Sequence, residues 1–196
     1  ALSGMVESFS FTSLAEKILS VEGGTAVQTL SDAGRAVLVR RALEELQDNV
    51  HYYYRHRRSA AFCQMAAETI DELKSAGLSG QQLYQLAQGC GPESGKLSEL
   101  ALIFQGYETL LSRSGMDPSD RLELAGARLE EALARGEVPE FLRDREVFID
   151  EFDTFNAPKK RLLGALLAAL PRVTVALCDD GAPLIPGDVG LFSGAK

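Results

Sequence analysis

Cysteine and histidine are scarce in this chain, and long hydrophobic runs are absent. The three cysteines, Cys63, Cys90 and Cys178, are far apart and form no C-x-x-C motif, which argues against a zinc ribbon or an iron–sulfur framework. His51 and His56 are five positions apart rather than the four of helical metal ligands, so we interpret them as surface residues. The longest apolar stretch, LLGALLAAL, is about half the roughly 20 residues that cross a bilayer. We therefore expect reduced thiols in a cytoplasmic protein without a membrane segment.

Basic residues are also outnumbered. The 196 residues include 28 acidic and 20 basic ones, for a formal net charge of −8. Because this charge repels a polyanion, DNA binding would need a local basic patch or another polypeptide. The first residues lack the basic and apolar regions of a signal peptide, so we predict none.

Most of the chain carries the apolar spacing of amphipathic helices. Between residues 12 and 142, helix-spaced apolar stripes follow one another, with Ser, Thr or Asp-Pro at their starts and Gly at several ends. Ser31 and Ser79 are two of the predicted helix starts. Residues 6–11 alternate in polarity and predict a short strand. From residue 145 onward the pattern changes to strand, helix (157–170) and strand. We therefore predict a mainly α fold, a multi-helix domain plus a small parallel βαβ piece.

Two strands leave a sheet with two open edges, so the βαβ piece should belong to a larger sheet that is incomplete here. We predict three segments on this basis. Residues 1–11 contribute a short strand of the incomplete sheet, residues 12–142 form a helical domain, and residues 143–196 form the βαβ segment.

The segment REVFIDEFDTFN ends a predicted strand with Asp150 and Glu151. In ATP-driven motors, an Asp in this position orients a magnesium ion on the phosphates, and a Glu polarises the attacking water. The phosphate loop is not found in this sequence, since the nearest match, CGPESGKL, lacks the first Gly, the hydroxyl after Lys96 and a preceding strand. Asp150 and Glu151 are therefore candidate catalytic residues. Asp150 would bind magnesium only with ATP and a phosphate loop from elsewhere, so we expect this chain alone to be inactive.

Two other interpretations of these acids stay open. Acidic residues at a strand end are also typical of a solvated turn. A wider set could form a metal-dependent nuclease centre, although no histidine is near it in the sequence. Its members are Asp150, Glu151, Asp153, Asp179 and Asp180.

A basic stretch, HYYYRHRR at residues 51–58, interleaves aromatic and cationic side chains. Proteins that bind single-stranded nucleic acid combine these residue types. The alternative is a helix end that places some tyrosines in the core and the arginines on the surface. On the first interpretation the DNA-binding residues are Tyr53, Arg55, Arg57 and Arg58, acting within a larger assembly.

VFIDEFDTFN resembles motif II of superfamily 1 DNA helicases, in which Asp-Glu follows an apolar strand. Over nearly its full length, the chain also resembles the B subunit of AddAB-type ATP-dependent helicase–nucleases, as an internal fragment of its N-terminal region. The matching pieces, in order, are SFSFTSLAEKILSVEGG, LSDAGRAVLVRRAL, the run at 62–74, KLSELALIFQGYETLL and VFIDEFDTF.

The resemblance implies a parent protein that unwinds and degrades DNA ends in double-strand-break repair and recombination, with the A subunit of the helicase–nuclease as partner. It implies ATP and magnesium in the parent, whose phosphate loop and nuclease domain lie outside this chain. It places the βαβ piece, residues 143–196, in an incomplete P-loop-type (RecA-like) sheet of a motor-like domain. Family members often carry Gly at the position of Glu151, so the glutamate keeps hydrolysis possible. The rival interpretation is a stand-alone helical protein–protein interaction module without catalysis.

Overall fold

The computed structural model describes residues 6–24, 28–152 and 154–177, and over these ranges the protein is mainly helical. The described helices are α1 (Phe11–Glu22), α2 (Asp32–Glu45), α3 (Ala60–Ser75), α4 (Gly80–Ala87), α5 (Ser94–Ser114), α6 (Pro118–Ala134) and α7 (Ala157–Ala169). The strands are β1 (Val147–Ile149) and β2 (Val173–Val175), and short 3-10 turns cover Tyr54–His56 and Gly91–Glu93. Within the described ranges, no helix combines the length and hydrophobicity that a membrane crossing requires.

The chain divides into two compact units. The helical unit is residues 26–121, and the sheet unit is residues 1–25 together with 122–196. These bounds differ from the predicted segments 1–11, 12–142 and 143–196, whose status as domains of a larger protein stays a prediction.

Serine caps set the helix starts of the helical unit. The side chains of Ser31, Ser59 and Ser79 accept the backbone N–H three residues on, at 3.3 Å in each case. Such caps satisfy an N–H that has no partner inside the helix, and each contributes about 1 kcal/mol. The caps at Ser31 and Ser79 confirm the helix starts predicted from the sequence.

The core of the helical unit lies between α2, α3, α4 and α5. Helix α5 supplies its two largest side chains, Phe104 and Tyr107, which are almost completely buried. Burial of an aromatic or branched apolar side chain contributes about 1.5–3 kcal/mol. The other large core side chains that are almost completely buried are Val39, Leu43, Val50, Ile70 and Ile103.

The two ends of the helical unit meet. Leu30 donates its N–H to the carbonyl of Met116 at 2.8 Å, and Met116 donates to the carbonyl of Gln28 at 3.0 Å. Nearby in sequence, Asp117 caps α6 by accepting the N–H of Asp120 at 2.9 Å. The Nζ of Lys74 lies 2.7 Å from the buried Asp117 carboxylate and also pairs with Asp120. A buried ionic cluster therefore secures the C-terminal end of the unit.

The sheet unit contains the predicted parallel βαβ arrangement. β1 and β2 are parallel, with Val147 opposite Val173 and Ile149 opposite Val175, and α7 connects them. One sheet face is half-buried to buried along both strands, whereas Phe148 on the other face is 70% exposed. The core of this unit forms between α1, α6 and α7, and includes Ile18, Leu19, Ala125, Leu129, Leu162 and Leu166.

The strand predicted over residues 6–11 is not formed. Residues 6–10 have no strand pairing, and α1 begins at Phe11. Ser10 caps this helix, because its Oγ accepts the Ser13 N–H at 3.1 Å while its own N–H donates to the Ser13 Oγ at 2.8 Å. The reciprocal capping box satisfies two backbone donors locally and so commits this segment to a helix start.

Candidate nucleotide and DNA sites

Asp150 and Glu151 follow the last residue of β1, at the carboxyl end of the parallel strands. Both residues are exposed. The Oδ1 of Asp150 accepts the Glu151 N–H at 2.8 Å, at the bend that follows the strand. Ligands of open α/β sheets bind outside this edge. The pair therefore lies at the sheet edge where open α/β folds bind ligands, while Asp153, Asp179 and Asp180 fall outside the described residues.

The backbone of Glu151 is left-handed, with φ at +66°. This region costs a residue with a Cβ about 1–2 kcal/mol, and glycine adopts it freely. Glutamate at this position is therefore held against its own backbone preference. Strain of this kind clusters at functional sites, although strain alone assigns no role.

Aromatic rings pack next to the acidic turn, which is formed by Asp150 and Glu151. The Phe152 ring centroid lies 5.0 Å from that of Phe11 and 5.5 Å from that of Phe155. The Nζ of Lys159, in the first turn of α7, lies 5.4 Å from the Phe152 centroid and 5.8 Å from the Phe11 centroid. Sequence reasoning missed Phe11 and Lys159, because neither has a spacing that connects it to the acidic pair.

Asp150 fits magnesium chemistry only as part of a larger site. Magnesium prefers oxygen donors, and in nucleotide sites it takes one or two carboxylates together with substrate phosphates. Among the described residues, no group of three or more His, Cys, Asp and Glu side chains could hold a metal ion. Asp150 can therefore supply one carboxylate to a metal carried by phosphates, and the described residues do not build a protein cage for a metal. The nuclease-centre interpretation depends on acids outside the described residues and stays open.

The segment CGPESGKL, residues 90–97, connects two helices. It leaves α4, passes through the 3-10 turn Gly91–Glu93 and enters α5 at Ser94, with no strand before it. A phosphate loop needs a strand that leads into the glycine-rich turn. The segment is therefore a linker between two helices, and the absence of a preceding strand, inferred from the sequence, is confirmed.

The basic stretch lies between α2 and α3, and its side chains divide into two groups. Tyr53 stacks on Phe62 with centroids 5.7 Å apart, and the Arg57 guanidinium lies 4.0 Å from the centroid of the Tyr54 ring. These side chains are half-buried, whereas Arg55 and Arg58 are exposed. Two of the four predicted DNA-binding residues, Tyr53 and Arg57, therefore make ring contacts inside the protein, and exposed Arg55 donates a hydrogen bond to His56 at 3.0 Å.

Tyr52 is the exposed aromatic residue of this stretch, with 54% of its surface accessible. The sequence prediction named its neighbour Tyr53 instead. Three consecutive tyrosines cannot all face the same way, but their order in the sequence does not say which one points outward. The sequence showed only that at least one of the three tyrosines must point outward. The stacking of Tyr53 on the half-buried Phe62 determines which one it is.

The fold and these sites define a mainly helical protein whose parallel βαβ unit carries two acids at the carboxyl end of its first strand. The chain matches the family described as "ADDB, N-terminal" over residues 2–196 and therefore belongs to this family. The predicted resemblance to the B subunit of helicase–nucleases is thereby confirmed at the level of the family.

Several relatives are each named as the B subunit of an ATP-dependent helicase/deoxyribonuclease. The protein of Heliobacterium modesticaldum is 32% identical over 182 residues, which cover 90% of this chain and 14% of that protein. The protein of Moorella thermoacetica is 31% identical over 182 residues, with 89% and 15% covered. The protein of Clostridium perfringens is 27% identical over 192 residues, with 97% and 16% covered. The chain thus spans only a small part of the length of the relatives it matches.

Proposed function

We propose that this chain is part of the B subunit of an ATP-dependent helicase–deoxyribonuclease. The family membership supports this role, as do the relatives named above. On this proposal the whole protein unwinds and degrades DNA ends in double-strand-break repair and recombination, acts in the cytoplasm, and assembles with the corresponding A subunit. ATP and magnesium belong to the whole protein, which would supply the phosphate loop from outside these 196 residues.

The position of Asp150 and Glu151 carries the mechanistic part of the proposal. Both carboxylates are exposed directly after β1, at the edge where open α/β sheets bind their ligands. Magnesium, when bound with ATP, neutralises charge on the phosphate oxygens. Asp150 would offer it one carboxylate, and Glu151 would accept a hydrogen bond from a water and orient it. The Phe152 ring, held by Phe11, would keep this turn in place.

The full-length protein provides the test. We expect Asp150→Ala to lower magnesium-dependent binding of a fluorescent ATP analogue by about tenfold or more, since a ligand to the metal is lost. Glu151→Gln should retain binding and lose DNA-stimulated phosphate release. Glu146→Gln, an acid just before the opposite end of β1, is the matched control and should change neither. Equal binding and turnover in all three variants and the parent would refute the assignment.

A further inference from the structure

We infer that the helical unit contacts single-stranded DNA through Tyr52, Arg55 and Arg58. This set differs from the sequence-predicted set, which included Tyr53 and Arg57. The inference rests on the proposed function, because it requires the whole protein to act on DNA. It adds a location and a substrate form, a single strand, to that function.

A buried carboxylate fixes the backbone at Tyr52, at the start of the basic stretch. Glu99, on α5, is 7% exposed and accepts the N–H groups of His51, Tyr52 and Tyr53 at 2.8, 2.8 and 3.3 Å. Charge-assisted bonds to backbone donors are roughly twice as strong as neutral ones. The start of the basic stretch is therefore a preorganised surface rather than a loose loop, which lowers the entropic cost of binding.

Some side chains of the basic stretch are occupied by contacts within the protein, and others are free to contact a ligand. Tyr53 and His56 both pack on Phe62, with ring centroids 5.7 and 5.3 Å away, and Arg57 covers Tyr54. The Tyr52 ring rests against the backbone at Gly95, where an added Cβ would come within 3.4 Å of its Cε2. The remaining surface of the Tyr52 ring is open to solvent.

The positive charges of Arg55 and Arg58 are not neutralised by ion pairs within the described residues. Arg40 and Arg41 on α2 each pair with a glutamate one turn along, at 3.1 and 3.0 Å. In the described part of the chain, neither Arg55 nor Arg58 forms an ion pair, and the side-chain bond made by Arg55 goes to His56. The sequence from Asn49 to Ala67 contains no Asp or Glu, although the chain as a whole has a net charge of −8. The stretch of chain that carries these two arginines is therefore locally basic in an acidic protein.

An exposed ring and two guanidinium groups without ion pairs, all on one short stretch of chain, fit a single strand better than the alternatives. An unpaired base can stack on the Tyr52 ring while the arginines contact phosphates. A duplex offers phosphates but keeps its base faces covered, and an acidic peptide has no use for the ring. Two phosphate contacts are few, so this surface would guide a strand held mainly by other parts of the protein.

Arginine footprinting on the full-length protein tests the inference at the residues themselves. A dicarbonyl reagent modifies accessible guanidinium groups, and mass spectrometry reports the rate at each site with and without oligothymidine. We expect oligothymidine to slow modification of Arg55 and Arg58 by about fivefold or more, while Arg40 and Arg41 serve as controls in the same unit and stay unchanged. Tyr52→Ala should reduce this protection, and Tyr84→Ala, an exposed tyrosine on α4, should not.

The salt dependence of binding gives an independent measure. Each phosphate contact on a single strand contributes about 0.7 to the log–log salt slope, so replacing Arg55 and Arg58 by Gln should lower the slope by about 1.4. The matched pair Arg40→Gln and Arg41→Gln should leave it unchanged. Thermal unfolding of each variant checks that the fold is retained.

Three results would overturn the inference. They are unprotected Arg55 and Arg58 in a full-length protein that binds oligothymidine, equal protection by duplex DNA, and equal protection by polyglutamate. In each case, DNA-stimulated ATP hydrolysis by the same protein would leave the proposed function intact. A full-length protein that neither binds oligothymidine nor responds to DNA would remove both proposals.

Discussion

The rings of Phe11 and Phe152 meet edge to face, with centroids 5.0 Å apart and planes at 77°. Phe11 begins α1, and Phe152 directly follows Asp150 and Glu151, so the contact joins the first described helix to the acidic turn. Edge-to-face pairs contribute about 0.5–1.5 kcal/mol beyond the burial of their surface. The turn is thus supported by apolar packing behind it, which leaves its carboxylates exposed.

Removal of the Phe11 ring should destabilise the sheet unit. Because Phe11 is 8% exposed and contacts two further rings, we expect Phe11→Ala to lower the free energy of unfolding by about 3 kcal/mol. Phe9→Ala, at a residue that is 40% exposed, is the control and should cost under about 1 kcal/mol. Urea titrations of this chain give both values. Equal losses for the two variants would contradict a core role for Phe11.

Glu151 allows stability and activity to be separated. Since its φ is +66°, we expect Glu151→Gly to raise the free energy of unfolding by about 1 kcal/mol and to abolish the proposed hydrolysis. Glu151→Gln keeps a Cβ, so it should abolish hydrolysis without the gain in stability. Denaturant unfolding and phosphate release are measured on the same preparations. A glycine variant no more stable than the glutamine variant would show that the backbone is not strained.

The buried carboxylate of Glu99 should be essential to the basic stretch. Glu99→Ala leaves three backbone N–H groups without their acceptor, so we expect a loss of about 2–4 kcal/mol in the free energy of unfolding. Faster amide exchange should appear at His51, Tyr52 and Tyr53. Glu93→Ala, which removes an exposed partner of Lys96, should change neither quantity measurably. Unaltered exchange in Glu99→Ala would mean that other contacts hold the segment.

Alkaline pH should weaken the helical unit. Burial raises the pKa of Tyr107 above its ordinary 10.0, and the neighbouring Asp117 adds to this. Burial alone would lower the pKa of Lys74, but bonds to Asp117 and Asp120 outweigh it and raise the pKa above its ordinary 10.5. In both cases the folded state keeps a proton that the unfolded state has lost, so the free energy of unfolding should fall as pH rises above about 10.

Tyrosine variants test this pH dependence. Tyr107→Phe removes one of the two protons concerned, so its free energy of unfolding should fall less steeply with pH than that of the parent chain. Tyr84→Phe, on α4, is the control and should retain the parent slope. Urea titrations between neutral pH and about pH 11 provide the curves. A Tyr107→Phe slope equal to that of the parent would exclude Tyr107 as a source of the alkaline loss.

The 196-residue chain by itself should hydrolyse no ATP, because its sequence contains an acidic pair but no phosphate loop. We also expect only weak binding to DNA at physiological salt, since the net charge is −8. Phosphate release and fluorescence anisotropy are the measurements. DNA-stimulated release that disappears in Asp150→Ala would show that the chain holds a complete site.

Local signals in the sequence were sufficient for most of the fold. Ser31 and Ser79 marked helix starts, and the two β-branched segments around α7 could only be parallel once a helix connected them. Residues 6–10 misled because alternating polarity is shared by a strand and by the approach to a capped helix. The hydrogen-bond partners of the segment decide between a strand and a helix start. Here the partner of Ser10 is Ser13, only three residues away, so the helix start forms.

The sites were less predictable because their contacts join distant parts of the chain. Glu99 and His51 are 48 positions apart, and no periodicity relates a carboxylate on one helix to a loop before another. The exposure of Tyr52 follows from the stacking of Tyr53 on Phe62, which is a tertiary contact. Sequence patterns therefore located the acidic pair and the basic stretch but could not assign the individual side chains within them.

The pairing of Thr29 with Met116 has a consequence for how this family can vary. The polypeptide enters and leaves the helical unit at neighbouring positions. Residues 30–115 therefore form an excursion, meaning an inserted segment whose two ends lie side by side. Helices within the excursion can lengthen, shorten or change their surface without altering the span that the flanking segments must bridge. Natural sequences should therefore concentrate their insertions and deletions between these two residues, and an artificial linker that joins residue 29 to residue 116 should remove the excursion and leave the remaining chain continuous.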